Sequence, residues 1–413
     1  MHILFSSSSF GGGGITSYAH ELIRCYNNAH QISVLIGDDS VNPIAESNVK
    51  IYKLSLENVS YQNALKAIDL ITSTINPDVI INSHADLITL ITPYLPEKIR
   101  IISISHSLKY VDANVAGFNS DYVDGIVALS DHAKEYLIKK FKIEKEDLVH
   151  VIFNFVQEYS GAEKILKDKI EGSPITIVYA GGNIPVKGPD IVMAVLRKLQ
   201  RTKLPFKFYW LGARHASFSH YSFYHDIKQM IPEDERIIFT GKLPREEALQ
   251  LIMKANIYLF PSRREGCPMS LIEAMRVGTI PIVADYPHAN IEIIKDWYNG
   301  FVIGHNDING FVNRITDIIN NHHKYSDIYK HCYEYYIQHL NYDCWEKEMN
   351  KLLKVVRKEH EHVRTTITEQ SYLLDCKKFL KMQRKANYQM IWDEYVPHYL
   401  NMNRLFLTSK LCK

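Results

Sequence analysis

The sequence predicts an α/β protein with two domains in tandem, each built on a parallel sheet, followed by a helical and basic extension. Three observations predict this organisation. Short apolar runs alternate with amphipathic segments along most of the 413 residues, which is the pattern of βαβ units. The alternation stops near residue 160 and then restarts. The end of the chain is instead rich in basic residues, aromatic residues and leucine.

The composition excludes several classes of protein. A hydrophobic content of 46% and a charged content of 23% are enough for full-sized cores and exclude a disordered chain. The formal net charge of +2 argues against a dedicated nucleic-acid-binding protein. The six cysteines include no C-x-x-C pair, and neither a signal-peptide pattern nor a run of ~18 apolar residues occurs. We therefore expect a cytoplasmic protein with free thiols.

The first predicted domain covers residues 1–165. Its strands are predicted from five apolar runs bounded by polar or turn residues: "MHILFSS", "QISVLIG", "NPDVIINSH", "IRIISISHS" and "VDGIVALSD". The glycine loop Gly11–Gly14 follows the first run, and glycines let a ligand approach the backbone closely. The charged stretch "YSGAEKILKDKIEGSP" marks the linker region.

The second predicted domain covers residues 166–345. Its predicted strands are "ITIVYAGG", "FKFYWLG", "RIIFTG", "IYLFPS" and "IPIVAD", and its predicted helices are "GPDIVMAVLRKLQ", "REEALQLIMKA" and "MSLIEAMRV". Doubly wound parallel sheets bind ligands at the carboxyl ends of their strands. We therefore expect the two domains to face each other across a ligand-binding cleft.

Residues 346–413 form the predicted extension. Residues 351–413 contain 13 Lys or Arg and 6 Asp or Glu, interleaved with aromatic residues and leucines. This composition suits a solvated helix, a helix that packs back on the first domain or binds a partner protein, or a segment lying on an anionic membrane surface. The last alternative predicts peripheral association with the inner face of the plasma membrane.

The stretch "IYLFPSRREGCPMSLIEAMRVGTIPIVAD" reads as strand, loop, helix, turn and strand. Pro268 suits the first helical turn and Gly278 the position after the helix, which predicts a helix of about Pro268 to Val277. The unpaired N–H groups at its start suit a phosphate. Glu265 precedes the helix, and Glu273 lies ~7.5 Å along its axis from Pro268. A nucleotide sugar has a matching layout, with hydroxyl-rich groups on both sides of a diphosphate.

The same stretch resembles the E-x7-E signature of retaining glycosyltransferases with the GT-B fold, in the family 4 group (glycosyl transferases group 1). The matching residues are Pro261, Ser262, Glu265, Gly266, Glu273, Ala274, Met275, Gly278 and Pro281. The resemblance extends over nearly all of the chain before the extension, and it implies two Rossmann-like domains. The first would lie on the acceptor side, and the second would bind the nucleotide sugar.

The resemblance also implies roles for individual residues. Glu273 would bind the ribose hydroxyls, Glu265 the hydroxyls of the transferred sugar, and Lys187 the diphosphate. His106 falls where the family has a sugar-contacting histidine, so the implied catalytic residues are Glu265, Lys187 and His106. The implied donor-binding residues are Glu273, Gly266, Cys267, Pro268, Met269, Ser270, Gly182 and Arg263, and the loop of Gly11, Gly12, Gly13 and Gly14 would approach the diphosphate or the acceptor.

The chain departs from the family at one position. The family has an arginine in the segment before Lys187 that helps bind the diphosphate, and Gly182 stands there in this sequence. We expect Arg263, Arg264 or Arg214 to supply the missing cation. The chain contains no D-x-D metal motif, so we expect metal-independent transfer, without a cofactor, from a UDP- or GDP-linked sugar to a glycan or lipid-linked acceptor.

Other functions are open to the sequence, among them a GT-B sugar epimerase or phosphorylase, for which the sequence shows no distinguishing feature. Gly11–Gly14, with Asp38 and Asp39 after the second predicted strand, resembles part of a dinucleotide-binding site of a dehydrogenase. Because the arginine is missing at Gly182, the chain also suits a catalytically impaired GT-B protein that binds a sugar or serves as the scaffold partner of another glycosyltransferase.

Overall fold

Two parallel sheets organise the chain, as the alternating pattern predicts. The computed structural model describes residues 1–8, 14–37, 48–107, 110–171, 174–182, 184–212, 230–354, 365–396 and 400–401. These residues form two units. Unit 1 comprises Met1–Phe155 and Tyr342–Gln389, and unit 2 comprises Val156–Asn341 and the described residues from Met390 onward.

Unit 1 contains a seven-stranded sheet in which all pairs are parallel. Its strands are β1 (His2–Ser7), β2 (Gln31–Ile36), β3 (Lys50–Lys53), β4 (Val79–Asn82), β5 (Arg100–Ser105), β6 (Gly125–Ala128) and β7 (Val149–Val151). Their spatial order is β3-β2-β1-β4-β5-β6-β7. The helices between them are α1 (Gly14–Tyr26), α2 (Tyr61–Asp69), α3 (Asp86–Ile91), α4 (Tyr110–Gly117) and α5 (Asp131–Phe141).

Unit 2 contains a six-stranded parallel sheet. Its strands are β8 (Ile175–Tyr179), β9 (Phe206–Leu211), β10 (Ile237–Gly241), β11 (Ile257–Phe260), β12 (Ile280–Ala284) and β13 (Phe301–Ile303), in the order β10-β9-β8-β11-β12-β13. Its helices are α6 (Ala162–Glu171), α7 (Pro189–Leu199), α8 (Arg245–Lys254), α9 (Met269–Met275), α10 (Ala289–Ile293), α11 (Ile308–Asn320) and α12 (Ser326–His339). Both sheets therefore have the doubly wound strand order.

Local chemistry fixes several helix starts. The Ser130 side chain accepts a hydrogen bond from the Ala133 N–H and caps α5, and the Asp307 side chain does the same for the Gly310 N–H at the start of α11. The central strands are buried along their length, because helices cover both faces of each parallel sheet.

The C-terminal helices complete unit 1. They are α13 (Tyr342–Lys354) and α14 (Glu369–Met390). Trp345 packs on Phe155, with ring centroids 4.5 Å apart, and lies edge-on to Tyr18 of α1. From α14, Tyr372, Cys376 and Phe379 are buried in the core of unit 1.

The two units have different boundaries from the predicted domains. The sequence predicts a boundary at residue 165, whereas the first segment of unit 1 ends at Phe155. The difference arises because α6 belongs with unit 2, where Lys169 donates a hydrogen bond to the Val277 carbonyl oxygen. The predicted extension is not a third unit within the described residues, since residues 342–389 belong to unit 1. No described helix combines the length and the apolar composition needed to span a bilayer.

Replacing Gly278 with alanine is expected to lower the urea midpoint more than the same change at Gly241. Both glycines have left-handed φ angles, +71° and +70°, so each alanine costs about 1–2 kcal/mol of backbone energy. At Gly278 the added Cβ would also lie 2.7 Å from the Tyr329 carbonyl oxygen, whereas at Gly241 no described atom lies within 4 Å. Equal midpoints for the two variants would contradict this packing.

Candidate active site

The candidate site of unit 2 lies at the point where the strand order reverses. β8 lies between β9 and β11, so the chain leaves β8 and β11 toward opposite sides of the sheet. The two loops that follow them open a crevice at the carboxyl edge, the usual ligand position in this type of sheet. The loop after β8 carries Gly182 and Lys187, and the loop after β11 carries Arg263 and Glu265.

Lys187 and Glu265 meet at this edge. Lys187 Nζ lies 2.6 Å from Glu265 Oε1, although the residues are 78 positions apart in the chain. The lysine side chain is 27% exposed and the glutamate side chain 10% exposed. The structure thus brings together two of the three residues predicted to be catalytic.

Glu273 lies on α9 and pairs with a residue that the sequence analysis did not single out. Arg245, the first residue of α8, places its Nη2 2.8 Å from Glu273 Oε1. The glutamate side chain is 7% exposed and the arginine side chain 49% exposed. The sequence offers no local signal for this pair, because the two residues come from different helices.

A buried tyrosine contacts Ser270, one of the predicted donor-binding residues. Tyr258 of β11 donates a hydrogen bond of 2.8 Å to Ser270 Oγ. Burial raises the pKa of Tyr258, and the negative charges of Glu265 and Glu273 raise it further.

Helix α9 is shorter than predicted. It runs from Met269 to Met275, with Pro268 as its N-cap, because Pro268 has an extended ψ of 118°. Gly278 has the left-handed φ predicted for the residue after the helix. The side chains of Cys267 and Met269 are buried, which does not suit direct contact of these two side chains with a ligand, and Gly266 and Pro268 are buried as well.

Gly182 and Arg263 occupy constrained positions. Gly182 has a φ of +54°, a conformation that disfavours the arginine found there in the resembled family. Arg263 forms an ion pair with Asp190, with Nη2 2.6 Å from Oδ2 and side chains 8% and 3% exposed. This burial does not suit the predicted direct contact between Arg263 and a diphosphate. Of the other proposed replacements, Arg264 is partly exposed, whereas Arg214 lies outside the described residues.

His106 of unit 1 follows β5 and contacts Ser83, the residue before a second histidine. Its Nε2 lies 2.5 Å from Ser83 Oγ, and its ring packs edge-on against Tyr18. Burial lowers the pKa of His106 to about 4, an effect that outweighs the opposing charge of Asp112. The imidazole is therefore neutral near pH 7.

His84 is the second histidine, and the sequence analysis did not assign it to the site. It has a φ of +85°, which is strained for a residue other than glycine. Its Nδ1 lies 3.0 Å from Asp112 Oδ1. Burial opposes its charged form, but the hydrogen bond and the charge of Asp112 outweigh burial and raise the pKa of His84.

The glycine loop and the two aspartates predicted for a dinucleotide site lie almost entirely outside the described residues. Gly14 is the first residue of α1, whereas Gly11, Gly12, Gly13, Asp38 and Asp39 lie outside the described residues. Among the described residues, no three His, Cys, Asp or Glu side chains form a group that could bind a metal ion.

Comparison with known protein families decides the classification. Residues 162–335 match the glycosyl transferases group 1, and residues 12–158 match glycosyltransferase family 4. The chain belongs to the family 4 (group 1) glycosyltransferases. The family resemblance and the GT-B fold predicted from the sequence are thereby confirmed.

Several glycosyltransferases are similar to this family 4 chain. A lipopolysaccharide 1,6-galactosyltransferase of Escherichia coli (strain K12) is 29% identical over 195 residues, which cover 47% of this chain and 52% of that protein. A poly(ribitol-phosphate) alpha-N-acetylglucosaminyltransferase of Staphylococcus aureus (strain COL) is 24% identical over 211 residues, covering 49% of this chain and 38% of that protein. The chain thus spans about half the length of the curated relatives it matches, or less.

A solved structure supports the fold. HepE of Anabaena, in complex with UDP-glucose, aligns with a TM-score of 0.68 at 15% identity. The alignment covers 86% of this chain and all of that chain. This likeness shows the shared fold.

The variant His106→Gln is expected to lose less stability on acidification than the wild type. The folded-state pKa of His106 is about 4 and its ordinary value is 6.5, so protonation favours the unfolded state as the pH falls from 6.5 toward 4. This costs the wild type about 2 kcal/mol between about pH 7 and pH 5. In urea unfolding, the stability difference between wild type and variant should shrink by this amount, and a constant difference would contradict the burial.

Proposed function

We propose that this glycosyltransferase binds a nucleotide sugar on unit 2 and transfers its sugar to a glycan or lipid-linked acceptor. The contact of Lys187 Nζ with Glu265 Oε1 carries the proposal. It places a cation and a hydroxyl-binding carboxylate side by side, which suits the bond between a diphosphate and a sugar. The relatives act on lipopolysaccharide or on poly(ribitol phosphate), and this supports cell-surface glycan synthesis.

Each end of the donor has a proposed partner. Glu273 accepts hydrogen bonds from the ribose hydroxyls, and Glu265 accepts them from the transferred sugar. Lys187 and the backbone N–H groups of Gly266, Cys267, Met269 and Ser270 bind the diphosphate. Because HepE was solved with UDP-glucose, UDP-linked sugars are the first donors to test, followed by GDP-linked sugars.

We propose transfer with retention of configuration and without a metal ion, as the family resemblance implies. The bond between the anomeric carbon and the diphosphate breaks, and the acceptor oxygen bonds to that carbon from the same face. The acceptor proton passes to an oxygen of the departing diphosphate. Lys187 stabilises the negative charge that develops on the leaving group. The family resemblance also implies that His106 contacts a sugar.

A catalytically impaired scaffold protein is the second candidate, and Gly182 favours it because it leaves the diphosphate with one cation fewer. A screen of UDP- and GDP-sugars by thermal shift, followed by measurement of nucleotide release with and without EDTA, separates the two functions. Turnover that persists in EDTA supports the enzyme. Binding of a sugar nucleotide without any turnover supports the scaffold.

Substitutions of Lys187 and Glu273 are expected to affect different kinetic constants. Lys187→Ala should lower kcat about 100-fold, because the lysine acts on charge that develops in the transition state. Glu273→Gln should weaken donor binding about 10-fold, because it loses a charged hydrogen-bond acceptor. Lys164→Ala and Glu163→Gln, exposed residues of α6, serve as controls in steady-state kinetics. Wild-type constants in both site variants would refute the assignment.

We also propose that the outer face of α14 contacts an anionic membrane. Between Leu373 and Tyr388 the helix has five basic residues and one carboxylate, Asp375. Its inner face is buried on unit 1 through Tyr372, Cys376, Phe379 and Ala386. The opposite face exposes Leu373, Leu374, Leu380 and Tyr388 together with Lys377, Lys378, Lys381, Arg384 and Lys385. Cations beside exposed apolar side chains suit lipid headgroups. Residues 355–364, 397–399 and 402–413 of the predicted extension lie outside the described residues.

Removing two lysines from this face is expected to weaken vesicle binding. The double variant Lys381→Ser/Lys385→Ser should bind phosphatidylglycerol-containing vesicles about 30-fold more weakly, at about 1 kcal/mol for each lysine. The variant Lys164→Ser/Lys167→Ser removes two exposed lysines of α6 and should bind like the wild type. Vesicle sedimentation measures both, with pure phosphatidylcholine as reference. Equal losses in the two variants, or no binding by the wild type, would refute the surface.

A further inference from the structure

The lysine that contacts Glu265 lies on a single helical turn, Pro185–Lys187, between β8 and α7. The turn makes few hydrogen bonds of its own, such as the bond from the Lys187 N–H to the Ile184 carbonyl oxygen at 2.9 Å. An isolated turn of this length has little intrinsic stability. The position of the Lys187 side chain therefore depends on what holds the turn.

The loop after β11 holds this turn through Arg263. The Arg263 backbone N–H donates to the Val186 carbonyl oxygen at 2.7 Å, and Arg263 Nη1 donates to the Pro185 carbonyl oxygen at 2.8 Å. Tyr179 Oη donates to the Lys187 carbonyl oxygen at 3.3 Å. Each of the three carbonyl groups of the turn thus accepts a hydrogen bond from outside it.

Close packing next to the turn leaves little freedom to move. Gly188 follows the turn with a φ of +70°. A Cβ at that position would lie 2.4 Å from the Pro261 carbonyl oxygen. The backbone after Lys187 therefore lies directly against the loop that carries Arg263.

A buried carboxylate fixes the direction of the Arg263 guanidinium group. Asp190, in the first turn of α7, accepts a hydrogen bond from Arg263 Nη2 at 2.6 Å. The two terminal nitrogens of the guanidinium group thus have different partners: Nη2 binds the Asp190 carboxylate, and Nη1 binds the Pro185 carbonyl oxygen. A lysine ends in a single ammonium nitrogen, so it could bind the carboxylate or the carbonyl oxygen well, but not both.

The C-terminal segment reaches the same carboxylate. Asn401 Nδ2 donates to Asp190 Oδ2 at 3.0 Å, and residues Ile391–Tyr395 pack against the Pro185–Lys187 turn. The described residues after α14 thus cover the brace formed by Arg263 and Asp190.

We propose that Arg263 is a positioning residue, which with Asp190 holds the Pro185–Lys187 turn so that Lys187 reaches the leaving diphosphate. This proposal rests on the proposed function and assigns Arg263 a different role from direct donor binding. A misplacement of about 1 Å at a catalytic group can lower a rate about 100-fold.

The test replaces the buried pair with apolar side chains of similar size. Simple removal of one partner leaves a buried charge and can unfold the protein, whereas an apolar pair is tolerated. The double variant Asp190→Leu/Arg263→Met should have the same urea midpoint as a control double variant, Asp234→Leu/Arg236→Met. It should lower kcat with the best donor of the screen by about 10- to 100-fold, with little change in the donor KM. Arg263→Lys should fall between this variant and the wild type.

A matched control exists in the same unit. Arg236 binds Asp234, with Nη2 2.7 Å from Oδ2, and its Nη1 donates to the Leu204 carbonyl oxygen at 2.9 Å. This pair lies at the amino end of β10, at the other edge of the sheet from the site. Asp234→Leu/Arg236→Met should leave kcat within about threefold of the wild type. A stably folded Asp190→Leu/Arg263→Met protein with wild-type kcat, or equal losses in both double variants, would overturn the proposal.

A second readout separates failure of this proposal from failure of the proposed function. Hydrogen exchange of the segment 184–188 should become faster in Asp190→Leu/Arg263→Met than in the control variant, whether or not a donor is present. Unchanged exchange in this segment would refute the proposal that Arg263 and Asp190 hold the turn, whatever the activity of the variant. A wild type that binds and turns over no nucleotide sugar, with faster exchange in the variant, would instead overturn the proposed function.

Discussion

The contact between Lys187 Nζ and Glu265 Oε1 is the interaction on which the site of unit 2 depends. It joins the loops that follow β8 and β11, the strands between which the sheet order reverses. The sheet brings the two loop starts together, and the loops then determine where the charged groups lie. A parallel sheet with this order places such a crevice at its carboxyl edge whatever the loop sequence. The chemistry of the crevice comes from the side chains, and the ion pair fixes two of them.

The sequence predicted the parts of the fold that leave a local pattern. The apolar runs of β8, β9, β11 and β12 are bounded by polar or turn residues, and each is a strand in the structure. Strand β3 was not predicted, because an edge strand with the sequence "KIYK" is half exposed and lacks an apolar run. The return of α13 and α14 to unit 1 was one of several open alternatives. It depends on long-range contacts such as that of Trp345 with Phe155, which no local pattern reveals.

For the candidate site, the sequence predicted the residues that belong to motifs but not the partners of those residues. Glu265, Glu273 and Lys187 belong to motifs, and the structure places all three in unit 2, where Lys187 contacts Glu265. Arg245 was not predicted, and Arg263 was assigned a direct contact with the donor that its burial does not suit. In both cases the missing information was the partner, Glu273 or Asp190, which is distant in sequence. A motif identifies the residue type that the chemistry needs, whereas the partner of that residue depends on the tertiary structure.

Each predicted donor-binding acid of unit 2 is already paired with a base, and this affects how the site can receive a ligand. A charged carboxylate buried without a partner would cost several kcal/mol, and each of these largely buried acids contacts a basic side chain that offsets this cost. In both pairs the basic side chain is the more exposed member, at 27% against 10% and at 49% against 7%. An approaching anion therefore meets the cations first. Under the proposed function, the two cations would turn to the diphosphate, and the sugar and ribose hydroxyl groups would then donate to the two carboxylates. One ligand would thereby replace the partner of each carboxylate.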